Sequence, residues 1–312
     1  MDGSNNIYIY FHIAAIGRYR QVVTEMYSIL SQSGLLNRIT ELRYCVTGPE
    51  EHKNWVVTTL AHPRCRLYAY QEDTHTYERF TLDLLHRDAV NAPYSEVKDY
   101  RVLYLHSKGV TKPESLHNRV WRKLMMHFLV THYEHCLRML QEPYHQQVVG
   151  ILFRTIPQPH FSGNFWWTKR SYLQSLPPIR QPMIYYIDTE LWIGLSLLRA
   201  VSLYQRPGYL QTEPPNVLAH VPVSAISSLT PANLVVVVPC TKLPRPRIGP
   251  HVRILYGLGY ERTNIKDHGL LFPLDPHQCV RVVHDHVPAV QTFHSTDFQR
   301  MYPELFFSRR RT

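Results

Sequence analysis

Long apolar runs, paired cysteines and basic patches interleaved with aromatics are all missing from this sequence, whose one basic run is the tail Arg309 to Arg311, and each absence removes a class of protein. No stretch approaches the roughly 18 apolar residues that a membrane-spanning helix requires. The start, MDGSNNIYIYF, lacks the basic segment followed by an apolar one that marks a secretory leader. The cysteines, Cys45, Cys65, Cys136, Cys240 and Cys279, are odd in number and form no CxxC pair, which argues against a disulfide framework and for a reducing compartment. The expectation is a soluble, cytoplasmic protein. HExxH is absent too. His132 and His135 fall three apart on an expected helix, and His277, Cys279, His284 and His286 lie near expected strands, but neither group has a usual zinc spacing. No RNP-like, zinc-finger or helix-turn-helix pattern accompanies the scattered Lys and Arg, so nucleic acid is not an expected partner.

What is present is a chain of enzyme size: 312 residues, 44% hydrophobic and only 19% charged, which is enough apolar material for one large core or two modest ones. The net charge of +10, with 19 histidines able to add to it in mild acid, favours contact with something anionic. A nucleoside diphosphate and peripheral contact of a basic face with a membrane both meet that description.

Apolar runs alternate with helical patterns through the first two-thirds, the mark of strands joined by crossover helices in a mostly parallel sheet. Expected strands are 7–13, 43–47, 66–70, 101–105, 148–153 and 161–168. Expected helices are 19–33 (stopped by Gly34), 50–61, 77–90, a long one over 116–140, and 188–200. From about Pro214 proline becomes frequent, and the chain divides into a main α/β domain, 1–213, and a proline-rich C-terminal appendage or small second domain, 214–312. Strands over 234–238 and 281–283 and a short helix over 297–302 are expected there.

Three segments carry polar residues where only core is expected. Val102-Leu-Tyr-Leu-His-Ser-Lys-Gly-Val110 puts His106, Ser107 and Lys108 at the end of an apolar strand, and ligands of open α/β sheets collect at that edge. Pro159-His-Phe-Ser-Gly-Asn-Phe-Trp-Trp-Thr168 interrupts an aromatic run with Ser162, Gly163 and Asn164. On a strand Trp166 and Trp167 point oppositely, leaving one of them for a ligand or a second layer. Tyr185-Tyr-Ile-Asp-Thr-Glu-Leu-Trp192 sets Asp188 and Glu190 at the mouth of an apolar helix, where Asp188 caps the helix and Glu190 either complements its dipole or serves as a general base.

Taken together, YLHSKG, HFSGNFWW and the E-L-W-I that follows resemble a group of glycosyltransferases found in bacterial polysaccharide gene sets and in large algal viruses. The resemblance spans about residues 5–205 and includes Ser33-Gly-Leu-Leu36 and Tyr77-Glu-Arg-Phe-Thr-Leu82. It implies a nucleotide-sugar-binding fold of the GT-A type that transfers sugar from a nucleoside-diphosphate donor, UDP-sugar first, to a glycan hydroxyl. Where many enzymes of that type carry Asp-x-Asp to hold Mn²⁺ or Mg²⁺, this chain has His106-Ser107-Lys108. The lysine can neutralise the departing diphosphate itself, which argues against a metal cofactor. Glu190 is then the expected base and Asp188 its catalytic neighbour, with inversion at the anomeric carbon. His106, Lys108, Thr81, Glu78 and His12 are expected at the donor, His220 near the diphosphate, and Gly163, Asn164, Trp166 and Trp167 at the acceptor. The competing expectation is a non-catalytic carbohydrate- or nucleotide-sugar-binding protein that kept the fold.

Overall fold

A computed structural model describes residues 6–91, 99–111, 116–141, 146–154, 160–179, 188–196, 199–204, 223–231, 234–237, 279–282 and 291–294. Its centre is an eight-stranded sheet. The strands are β1 (Ile7–Ala14), β2 (Glu41–Thr47), β3 (Cys65–Gln71), β4 (Arg101–His106), β5 (Val148–Gly150), β8 (Trp166–Lys169), β9 (Arg199–Ser202) and β10 (Leu234–Val237), in the order β10-β9-β5-β8-β4-β1-β2-β3. Two short pairs lie outside it: β6 (Phe153–Arg154) with β7 (His160–Phe161), and β11 (Cys279–Val282) with β12 (Gln291–His294). Six strands of the main sheet run one way, while β8 and β10 run against them. The architecture is therefore α/β with a mostly parallel, mixed sheet.

Residue chemistry explains the layering. β1 reads IYIYFHIA and β4 reads RVLYLH, nearly continuous apolar runs rather than alternating ones, as strands covered on both faces require. Ile9, Phe11 and Ile13 of β1 pack with Leu103 and Leu105 of β4 against α1 (Tyr19–Gln32), α3 (Glu50–Thr59), α5 (Leu116–Met126) and α6 (Tyr133–Leu140). Tyr10, Val102 and Tyr104 face the other way, toward α4 (Arg79–Asn91), α7 (Arg170–Ser175) and α8 (Asp188–Trp192). A four-residue α2 (Leu35–Arg38) follows Gly34, whose φ of 78° closes α1. None of the described helices is long and apolar enough to cross a membrane.

Several expected elements are cut differently. The long helix over 116–140 is broken by a π-helical turn, His127–Thr131, before α6 begins. Carbonyls near that break find new donors: Leu129 O accepts the indole N–H of Trp167 at 2.7 Å, and Phe128 O accepts the thiol of Cys136 at 3.4 Å. The expected strand 161–168 is instead β7, a tight turn and β8, because Gly163 (φ 94°) and Asn164 (φ 55°) are left-handed. The strand expected over 148–153 ends at Gly150. The helix expected over 188–200 stops at Trp192, and Arg199–Ser202 is a strand. Beyond residue 213, a 3-10 helix, Val223–Ser228, buries Ile226 in the core, and β10 forms one edge of the main sheet. The sheet thus continues past the boundary expected at 213/214. The expected helix 297–302 and His220 fall outside the described residues.

The turn from β1 into α1 is pressed against the loop that follows β4. Arg18 N–H donates to Val110 O at 3.1 Å, and a Cβ on Gly17 (φ 54°) would stand 2.3 Å from the same oxygen. Gly17→Ala should therefore cost about 2–4 kcal/mol from backbone strain plus overpacking. That corresponds to a melting temperature lowered by roughly 3–8 °C, read by thermal unfolding.

Candidate functional site

The chain lays down β1, β2 and β3 outward to one side and then places β4 on the other side of β1, so the sheet's topological switch point lies between β1 and β4. Crevices at the carboxyl ends of such strands are the usual ligand sites of open α/β sheets. His106 ends β4 in register with His12, two residues before the end of β1. The loops beyond them are stitched together: Ser107 N–H donates to His12 O at 2.9 Å, and Ala14 N–H donates to Ser107 Oγ at 2.9 Å.

Three ionisable groups meet above that seam. Glu78 stands at the entrance of α4, its carbonyl accepting from Thr81 and Leu82 N–H, and the preceding Tyr77 takes φ 47° to swing the carboxyl inward. Glu78 Oε2 accepts from Asn164 Nδ2 at 2.6 Å and from Tyr104 OH at 3.2 Å, while Oε1 lies 3.3 Å from His106 Nδ1. Glu190, on α8, accepts the Gly163 N–H at 2.5 Å. Lys108 holds its ammonium 4.2 Å over the Trp121 ring. The Lys108 carbonyl is fixed by Arg122 Nη1 at 3.2 Å, and Arg122 is itself buried in an ion pair with Glu25 at 2.8 Å.

The electrostatics follow from enclosure. Burial pushes the Glu78 carboxyl up to about 7, reinforced by the charge of Glu190 and opposed by Lys108 and by the bonds from Asn164 and Tyr104. Burial lowers the imidazole of His12 to about 3. His106 is held well below the usual histidine range by burial first, then by Lys108 and His12, with its bond to the Gly163 carbonyl working the other way. Both histidines are thus neutral at physiological pH. A carboxyl titrating near neutrality, between a lysine and a second carboxylate at a sheet's ligand edge, is the pattern of a functional site.

Of the residues expected from sequence, His106, Lys108, Glu78, Thr81, His12, Gly163, Asn164 and Glu190 come together here, while Asp188 lies two residues before Glu190 at the start of α8. They do not play equal parts. His12 and Thr81 are buried and bonded to each other at 2.9 Å, and His106 donates to Gly163 O at 2.8 Å, so these residues support the site from beneath. The acceptor contacts expected of Asn164, Trp166 and Trp167 are corrected. Asn164 is 1% exposed and both indoles are 0% exposed. Trp166 spends its N–H on Asn164 Oδ1 at 2.8 Å, and the two tryptophans fill the cores on opposite faces of the sheet. Groups nearer solvent are Lys108, Glu190 and Asp188, together with two aromatics that sequence reasoning passed over, Trp121 and the 49% exposed Tyr77. The only signal for Trp121 was its place one turn after His117 on α5; that its indole meets Lys108 depends on how the β4 loop folds back.

His106 commits one ring nitrogen to Gly163 O and faces Glu78 with the other, and Lys108 brings a positive charge to the same spot. Among the described residues no three His, Cys, Asp or Glu side chains are grouped to hold a metal.

Among solved structures, the chain is similar to 4-diphosphocytidyl-2C-methyl-D-erythritolsynthase from Anaerococcus prevotii DSM 20548. The TM-score is 0.36 at 10% identity, covering 70% of this chain and 97% of that one. No curated protein sequence matches. Residues 5–190, more than half of the chain and the part that carries every residue of the site just described, match the family described as a domain of unknown function, DUF8361, and the chain belongs to that family.

Proposed function

We propose that the protein is a glycosyltransferase of the GT-A type, similar to those of bacterial polysaccharide gene sets and large algal viruses. It would move a sugar from a nucleoside-diphosphate donor, UDP-sugar first, to a glycan hydroxyl with inversion, in the cytoplasm. The observation that carries this reading is the gathering of Lys108, Glu78 and Glu190 at the carboxyl end of the β1/β4 switch point, with Glu190 pinned by the Gly163 N–H.

In this scheme the Lys108 ammonium, steadied over Trp121, takes up the charge that grows on the leaving diphosphate, the task a metal performs elsewhere. Glu190 removes the proton of the attacking hydroxyl as the anomeric carbon passes through an oxocarbenium-like state. One carboxylate oxygen of Glu190 is held by a backbone N–H, and the other would be aimed at the acceptor. Tyr77, exposed and in a strained backbone conformation beside Glu78, offers a face for a sugar ring. The basic surface leaves peripheral membrane contact open to the same enzyme; nucleic acid is not assigned as a partner.

The test is a thermal-shift panel with UDP, GDP, CMP, dTDP and their sugars, each with Mn²⁺ and with EDTA. One nucleotide should stabilise the protein by mass action, with no loss in EDTA. Lys108→Gln should weaken that nucleotide about 10–100-fold, the value of a hydrogen bond to a charged group. Absence of stabilisation by every nucleotide, with no donor turnover, would favour the non-catalytic binding protein.

A further inference from the structure

Counting hydrogens around Glu78 exposes a constraint. Gly163 O is an acceptor only, so His106 Nε2, 2.8 Å away, must carry the proton of the neutral imidazole. His106 Nδ1 then presents a lone pair to Glu78 Oε1 at 3.3 Å. Two lone pairs facing one another inside a buried cluster repel, so a proton has to lie between them. The other Glu78 oxygen already accepts from Asn164 Nδ2 and Tyr104 OH, which are donors, leaving Oε1 as the oxygen that bears it.

We propose that Glu78 and His106 share one proton and that this shared proton clamps the Gly163–Asn164 turn, making Glu78 a positioning residue for Glu190. The clamp has two jaws. His106 Nε2–H holds the Gly163 carbonyl while Glu78 holds the Asn164 amide, and between them the Gly163 N–H is aimed at Glu190 Oε1. The groups facing Glu78 are Tyr104, His106 and Lys108 from β4 and its loop, Asn164 from the turn, and Glu190 from α8. Both Glu78 oxygens are engaged by protein, so it is placed to hold rather than to react. The proton and the clamp stand independently of glycosyl transfer; only the importance of aiming Glu190 rests on that reading.

Titration of the clamp has a definite sign. The folded carboxyl ionises near 7 against 4.5 for the free group, so the native state binds the extra proton between those values. Stability from this group is complete below pH 4.5 and is lost as pH rises through 7. His12, at about 3, acts in the opposite sense below pH 6.5 and is common to wild type and variants.

Glu78→Gln mimics the protonated acid: its oxygen accepts from Asn164 and Tyr104 while its amide donates to His106 Nδ1. Thermal unfolding of wild type, Glu78→Gln and Glu78→Ala across pH 5 to 8 tests the proposal. The Gln variant should match wild type at pH 5 and exceed it by about 4 °C or more at pH 8, whereas Ala should be less stable than Gln throughout. In the wild type with ¹⁵N-labelled histidine, NMR at pH 6 should show His106 with its proton on Nε2 and Nδ1 accepting a hydrogen bond. A gap between Gln and wild type that does not change with pH, or a His106 protonated on Nδ1 alone, would overturn the shared proton. Neither readout requires turnover, so an inactive glycosyltransferase assay leaves them intact.

Discussion

Glu190→Gln should lower the rate of sugar transfer by about 10²–10⁴-fold while leaving the melting temperature and the nucleotide affinity where they are. The asymmetry comes from the geometry. A glutamine oxygen can still accept the Gly163 N–H that Glu190 now accepts at 2.5 Å, so the α8 to turn connection survives. What disappears is the negative charge and the ability to take a proton from the acceptor hydroxyl. The fall should therefore lie in kcat rather than in donor binding. Steady-state release of the nucleoside diphosphate, with the donor named by the thermal-shift panel, is the measurement. Full activity in the variant would remove Glu190 from the reaction and with it the mechanism proposed for this site.

Gly163→Ala should do more damage, and of a different kind. A Cβ there would stand 2.6 Å from Met125 Sδ, 2.8 Å from Trp121 Nε1 and 3.1 Å from Trp121 Cε2, on a backbone with φ 94°. The methionine can move, but the indole is held by its bond to Ser162 O at 3.3 Å and carries Lys108 on its face. Strain and overpacking together should cost about 2–5 kcal/mol. The displaced turn would also release both Glu190 and the His106 contact, so melting temperature and transfer rate should fall together. Circular dichroism melts beside the release assay separate this outcome from that of Glu190→Gln. A variant with native stability would mean that the turn tolerates a side chain and that its tightness is not what positions Glu190.

The N-terminal half was legible because its strands are covered on both faces, so apolar runs such as IYIYFHI and RVLYLH stand out from the helices between them. His106, Lys108 and Glu190 could be chosen for the same reason, as polar residues at the ends of apolar elements. The SGN segment misled. Flanked by aromatics it has the composition of a strand, yet a left-handed pair is available to Gly163 and Asn164 at low steric cost, and the buried bonds of Asn164 favour the turn. The break in the long helix was invisible because its cause, the Trp167 indole reaching Leu129 O, lies 38 residues away. Glu78 looked like a minor candidate since nothing local shows that Tyr77 turns it toward β4. Its weight comes from partners at 104, 106 and 164, which only the assembled sheet brings together.

The place of β8 has a consequence for the birth of the chain. It lies between β4 and β5, although β5 is made first. The unit β3-β2-β1-β4 can form once residue 106 has emerged, but the outer edge of β4, apolar from Val102 to Leu105 except for the Tyr104 hydroxyl, stays unpaired until residue 166 arrives. At ~5–20 residues per second of synthesis, the ~60 intervening residues keep that edge open for on the order of 3–12 s. During this interval β5 is a parallel competitor for the slot, and so is any other nascent strand, since an exposed apolar edge templates pairing without regard to its owner. Arrival of Trp166 and Trp167 closes the slot with one indole in each core, so the same dipeptide that fills the sheet from within also ends its exposure to misassembly.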